Sequence, residues 1–374
     1  MGLRILVTGA AGLVGAELCR DLTGRGHAVV GMVRSRTRRA GDFRTADGPL
    51  DPPPHPGGPP RPGLAWVAGD VCEPGLGVAG LGGLDVVVHC AALTDFAAAP
   101  ARHRAVNVEG TRHAAAFAAA SGAGLLQVST AYVCGEHSGS VAEAPPRRDR
   151  PVAFSNAYEA SKAEAEIVAA ASGVPLAVAR PSIVVGRAAD GAIGRFENIY
   201  AFLRLIGSGR LTVLPAAEGA SLDLVPVDHV AMGLSDIAEN FERARDRVVH
   251  LVSGQPMPIT ELVAIDYPGF RVPRLVAPDS FDPSAFGPEE AFLHAAVTTH
   301  FASYLRRDPR FSADALTALS GRTCPPTGPG FLARLVSAAV RVGYLVPDPS
   351  LVSGRRGNAA PGPGAGPGPS GGRP

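Results

Sequence analysis

Val7-Thr8-Gly9-Ala10-Ala11-Gly12-Leu13-Val14-Gly15 spaces three glycines at three-residue intervals, directly after an apolar run and directly before a helical pattern. That order constrains the fold more than any other feature of the chain. Gly9 permits a tight turn, Gly12 keeps a Cβ out of the way of a pyrophosphate, and Gly15 lets the helix sit close on the strand. The helix start offers free N–H groups and the positive end of its dipole to a phosphate. Gly9, Ala11, Gly12, Leu13, Val14 and Gly15 are therefore the expected contacts to a dinucleotide. The plainer reading of the same residues is an ordinary glycine-rich turn.

Downstream, short apolar runs alternate with longer helical patterns. Strands are expected at 4–8, 28–34, 64–68, 85–90, 125–129, 176–180 and 248–252, and helices at 15–25, 106–121 and 158–171. This alternation is the pattern of an α/β fold: a Rossmann-type doubly wound parallel sheet with helices on both faces. We expect that core over 1–185. A smaller, mostly helical C-terminal substrate lobe is expected over 186–346, with 222–253 returning to the core. Residues 47–63 (DGPLDPPPHPGGPPRPG) can form neither a helix nor a central strand, because proline fixes φ and removes donors. The Gly/Pro-rich stretch 354–374 reads as a disordered tail.

Composition narrows the partners. With 35 basic and 34 acidic side chains, no field of one sign is available to recruit nucleic acid or an anionic membrane. The five cysteines are scattered and form no CxxC pair, which argues against a zinc site and against a disulfide framework. The N-terminus has no unbroken apolar leader, and no apolar run approaches the ~20 residues needed to span a bilayer. A cytoplasmic protein is expected. The stretch 330–345, apolar with two arginines at helical spacing, either packs on its own lobe or lies on a membrane or partner.

Where the second strand ends, an enzyme using NAD would carry Asp or Glu for the ribose 2′-hydroxyl; this chain has Arg34, then Arg36 and Arg38. An arginine suits a 2′-phosphate, so NADPH is the expected cofactor, although these arginines could simply solvate the loop. Asp70-Val71 follows the third strand, where Asp70 could accept from an adenine amino group or cap the next helix. Ala91 and Ala92 end the fourth, small enough to let the backbone lie against a cofactor.

Tyr158 and Lys162 stand four apart and share one helix face. An ammonium held beside the phenol favours the phenolate and lowers its pKa, which suits general acid–base work near neutral pH. Upstream, Ser129-Thr130 closes the fifth strand with a hydroxyl pair, of which Thr130 is the preferred partner. Asn107 either supports the lysine through water or only begins its helix.

Taken together, TGAAGLVG, GDV, HCAA, NVEGT, STAYVCG, YEASK and ARPSIVVG, in this order over about 3–253, resemble the extended short-chain dehydrogenase/reductases. The resemblance implies a Thr130, Tyr158, Lys162 triad, with Pro181, Ser182 and Val184 flanking a nicotinamide. It implies too that a strand over 222–231 shapes the site. HCAALTDF, STAYVCG, ARPSIVVG and DLVPVDHVA are similar to the thioester reductase and fatty acyl-CoA reductase branch, the male-sterility type. That implies reduction of an acyl thioester, small or carrier-bound, with an acyl-carrier protein as a possible partner. Within the same superfamily the alternatives are a nucleotide-sugar epimerase or dehydratase and a hydroxysteroid-type dehydrogenase.

Overall fold

The sheet is built by alternation. On β1 (Arg4–Thr8), Ile5 and Val7 point to one face and Leu6 to the other, and all three are fully buried. A strand apolar on both sides must be covered on both sides. Leu18 and Leu22 of α1 (Leu13–Gly24) and Val230, Leu234 and Ile237 of α5 (Val227–Glu239) cover the first face. Ala114, Ala115, Phe117 and Ala118 of α2 (Gly110–Ser121) cover the second. Each fully buried leucine contributes about 1.5–3 kcal/mol of transfer free energy, as an upper bound.

This computed structural model describes residues 2–34, 44–45, 48–49, 63–146, 152–264 and 267–349. Arg36, Arg38, most of the 47–63 stretch and the 354–374 tail lie outside the described residues. The remaining core strands are β2 (Ala28–Val33), β3 (Leu64–Ala68), β4 (Val86–His89), β5 (Gly124–Val128), β6 (Leu176–Pro181) and β9 (Val248–Leu251). They form one seven-stranded sheet in the order β3-β2-β1-β4-β5-β6-β9, every pair parallel. Thr8 at the end of β1 pairs with Met32 on one side and His89 on the other. Strand order reverses between β1 and β4, where doubly wound sheets open a crevice beyond their carboxyl ends.

Two expectations are revised. The helix expected at 106–121 begins earlier, at Pro100, and passes through a π-helical stretch, Arg104–Glu109, before α2. Asn107 sits in that widened stretch, where its Oδ1 accepts from the Leu93 amide at 2.7 Å and its Nδ2 donates to the Leu93 carbonyl at 3.1 Å. The widened turn therefore holds the loop after β4, as such insertions do at functional sites. The strand expected over 222–231 is short: β8 (Leu224–Pro226) pairs in parallel with β7 (Ile183–Val185), and α5 begins at Val227. Val227, Val230, Ala231 and Leu234 recur at helical spacing, and Asp228 in the first turn suits the helix dipole.

Beyond β6, a separate core forms from α4 (Asn198–Gly207), α6 (Pro288–Phe301), α7 (Pro329–Arg341) and the segments between them. Tyr200, Phe202, Leu203 and Ile206 pack there with Phe331, Leu332, Leu335 and Val336. The apolar face of α7 is thus spent inside the lobe. Among the described residues, no helix is long and apolar enough to cross a membrane.

Three buried histidines set the acid limit of this fold. Burial lowers His89 to about 3 and His229 and His250 to about 4, so each is neutral when folded. Below about pH 6.5 the unfolded chain binds protons the folded chain does not, so stability falls as the medium is acidified from there toward pH 3–4. The expected loss is up to about 1.4 kcal/mol per pH unit for each histidine. Urea midpoints at about pH 7 and about pH 5 measure it, and equal midpoints would exclude the effect.

Candidate active site

The carboxyl ends of β1, β2, β4, β5 and β6 open into one cleft of about 420 Å³. The glycine turn forms its floor. Gly9 has φ +67°, and a Cβ there would lie 2.7 Å from the Ala91 amide nitrogen. Gly12 is extended and its amide closes the turn onto the Gly9 carbonyl at 2.8 Å. A Cβ at Gly15 would run into that same carbonyl. No side chain caps α1, so its first N–H groups are left to face the cleft. A cradle that any Cβ would fill, under an uncapped helix start, fits a dinucleotide pyrophosphate. Arg34, exposed at the end of β2, lines the same cleft where the ribose end of such a nucleotide would lie.

Of the residues singled out in the sequence, Gly9, Gly12, Leu13, Val14, Gly15, Arg34, Ala92, Thr130, Tyr158, Lys162, Pro181, Ser182 and Val184 line this cleft. Ala11, Asp70, Val71, Ala91 and Asn107 do not. Asp70 accepts from the Cys72 amide at 2.9 Å in a tight turn rather than capping a helix. Val71 packs in the core against Gly110, and the Ala91 amide donates to the Thr8 hydroxyl at 3.2 Å. Asn107 is committed to Leu93 and to the Ser161 hydroxyl, to which it donates at 2.9 Å.

Thr130, Tyr158 and Lys162 all line the cleft. Thr130 caps the short turn Ala131–Cys134, its Oγ1 accepting from the Tyr132 amide at 3.3 Å. Tyr158 and Lys162 project from α3 (Ala157–Ala170). The buried Lys162 ammonium donates to the Val128 carbonyl at 2.7 Å. Burial brings it down to about 8, with Glu166 and Cys90 opposing, so it gains and loses its proton near neutral pH. The phenol departs from expectation. Burial pushes it well above its ordinary value, Glu197 and Glu159 add to the rise, and Thr130 alone pulls it down. Lys162 is not among the groups that shift it, because the ammonium is turned to the strand carbonyl.

Past Tyr158 the walls are aromatic and aliphatic. The Phe96 ring lies 5.9 Å from Tyr158 and stacks at 6.2 Å on Tyr304, and Tyr132 meets Tyr304 edge-on at 5.3 Å. Phe202 and Phe301 face each other at 5.2 Å, with Leu222 and Leu305 beside them. Thr94, Asp95, Arg195 and Glu197 supply the polar part of the lining. Three of the chain's six tyrosines, at 132, 158 and 304, line this one cleft. That concentration was the only sequence signal for the wall, and it carries no positional information by itself.

A family model described as male sterility protein matches residues 7–234. The chain belongs to that family. It is an NAD(P)-dependent enzyme of the extended short-chain dehydrogenase/reductase superfamily. This short-chain dehydrogenase/reductase is 29% identical over 197 residues to glycine betaine reductase of Emericella nidulans, covering 50% of this chain and 15% of that protein. It is 27% identical over 272 residues to 2-alkyl-3-oxoalkanoate reductase of Stenotrophomonas maltophilia, covering 70% and 74%. The terminal R domain from the myxalamid PKS-NRPS biosynthetic pathway superposes with a TM-score of 0.74 at 25% identity over 92% of both chains.

Proposed function

We propose that this enzyme reduces acyl thioesters with NADPH, using Tyr158 and Thr130 to bind the carbonyl oxygen. The observation that carries the reading is the continuity of the cleft from the glycine turn past Tyr158 into a wall of Phe96, Phe202, Phe301, Tyr304 and Leu305. Such a wall suits an apolar acyl group. A likeness to an R domain that ends a PKS-NRPS pathway supports a carrier-bound thioester, and an acyl-carrier protein as its donor.

The residues present account for each step. A nicotinamide, once bound, supplies the hydride. The Thr130 and Tyr158 hydroxyls donate hydrogen bonds to the thioester oxygen as negative charge develops on it. Tyr158 then gives its proton to that oxygen. The hemithioacetal then collapses: its hydroxyl proton returns to the Tyr158 phenolate as the C=O bond forms, and the C–S bond breaks to release a thiolate that takes a proton from water, giving an aldehyde and a thiol. Pro181, Ser182 and Val184 wall the nicotinamide end. The upward push on the phenol keeps it protonated and ready to donate in the reductive direction.

A second reading is reduction of a ketone on an apolar chain, favoured by the likeness to 2-alkyl-3-oxoalkanoate reductase. One assay separates them. With NADPH, the protein is expected to consume cofactor with acyl-CoA or acyl-carrier thioesters and release aldehyde. Consumption with ketones alone would select the second reading, and none with either class would sink both. In the same assay Arg34→Ala is expected to raise KM for NADPH about tenfold to a hundredfold, the loss of one charged hydrogen-bonding partner, and to leave KM for NADH unchanged.

A further inference from the structure

The N-terminus of α3, which carries Tyr158, is held by a buried charge cluster that the steps above leave unused. Asn156 caps the helix, its Oδ1 accepting from the Glu159 amide at 2.9 Å, and Glu159 Oε2 accepts from the Ser155 amide at 3.0 Å. This is a capping box displaced by one residue. The acid of such a box ordinarily stands in water, yet Glu159 is 0% exposed. Its Oε1 accepts from Arg307 Nη2 at 2.8 Å and from the Tyr304 hydroxyl at 2.6 Å. The other arm of Arg307 donates to the Gly135 carbonyl, which closes the Thr130 turn. The guanidinium lies 4.6 Å from the Tyr304 ring centre and 5.0 Å from that of Tyr132. Asn156 Nδ2 donates to the Tyr304 oxygen at 3.1 Å, and the Ser155 and Ser303 hydroxyls meet at 2.8 Å.

Stability is a poor explanation for this arrangement. Desolvating two charges costs about what their attraction returns, and an apolar pair of equal volume would hold the same segments at least as well. Direction is what an ion pair adds. One planar fork fixes three pieces of chain: the turn that carries Thr130, the helix that carries Tyr158, and the segment whose Phe301, Tyr304 and Leu305 wall the cleft.

We propose that Arg307 and Glu159 are positioning residues, which hold the Tyr158 and Thr130 hydroxyls at a fixed separation and set both against the acyl wall. The proposal rests on the reading of Tyr158 as proton donor.

The test uses the full chain, NADPH and whichever thioester the wild type turns over. Arg307→Met combined with Glu159→Gln removes both charges together, so no lone charge is left buried. Arg307→Lys keeps the charge and loses the fork. The double variant is expected to keep the wild-type urea midpoint and KM for NADPH, with kcat lower by about tenfold to a hundredfold. Its solvent deuterium isotope effect on kcat is expected to rise, because transfer from a misplaced phenol becomes slow. Arg307→Lys is expected to recover part of kcat. A double variant with kcat within about twofold of wild type and an unchanged isotope effect overturns the proposal. If the double variant does not fold, Arg307→Lys decides: wild-type kcat overturns the proposal, while reduced kcat with a raised isotope effect supports it. Tyr158→Phe is measured alongside. If it keeps full kcat, the proton-donor reading and the positioning both fall; if it is inactive while the Arg307 variants are normal, only the positioning falls.

Discussion

Replacing Tyr158 with Phe is expected to lower kcat on the order of a thousandfold while leaving NADPH affinity near wild type. The change removes one oxygen from a half-buried ring that packs on Phe96 and lies beside His103, and it keeps the ring itself. The fold is left with no cavity to fill, so a urea midpoint near that of wild type is expected alongside the loss of turnover. What disappears is the proposed proton donor to the substrate oxygen. Steady-state kinetics with a turned-over thioester, and NADPH titration by fluorescence, give the two numbers. Retention of more than about a tenth of kcat would mean that Thr130 or solvent supplies the proton and that the phenol only shapes the pocket.

The second large effect is expected at Gly9. Its φ of +67° is a left-handed conformation, and a Cβ would press on Ala91 at 2.7 Å from its nitrogen and 2.8 Å from its Cα. Both neighbours are backbone at the mouth of the sheet and cannot swing aside as a side chain could. Gly9→Val therefore combines conformational strain of about 1–2 kcal/mol with an overpacking cost of about 1–3 kcal/mol. The turn must open to relieve it, which moves the amides that would face a pyrophosphate. We expect a clear drop in urea midpoint and a loss of NADPH affinity of at least about a hundredfold, the worth of two charge-assisted hydrogen bonds. Normal NADPH titration by Gly9→Val would place the nucleotide elsewhere in the molecule.

The parts of this protein that obey local rules were legible from sequence. β1 and β3 run over the expected 4–8 and 64–68 because each is an apolar run bounded by turn residues. The turn at Gly9–Gly15 and the shared helix face of Tyr158 and Lys162 could be read because each is a local pattern, spanning seven residues and five. The aromatic wall could not. Phe96, Phe202 and the Phe301–Tyr304 pair come from three distant segments, and each looks locally like any apolar residue of a loop or helix. The π-helical stretch at Arg104–Glu109 was hidden for a different reason: Asn107 within it is tied to Leu93, fourteen positions away, by a tertiary contact that local spacing does not show. Asn156-x-x-Glu159 did offer a helix-start signature, but its buried partner, Arg307, stands 148 positions away. The direction of the phenol shift was misjudged because spacing shows which groups share a helix face, and burial, which dominates here, leaves no mark on spacing.

β9 joins the sheet beside β6 only after the chain has left at Pro181 and travelled to Val248. During synthesis, β6 is therefore an open edge until the whole intervening excursion has emerged, and such an edge is where nascent sheets pair wrongly. The late closure raises contact order, which slows acquisition of the native state. It also means that the 182–247 excursion has two seams in the core: exchanging it between relatives requires cuts on both sides, and a single truncation after β6 would strip the sheet of its last strand.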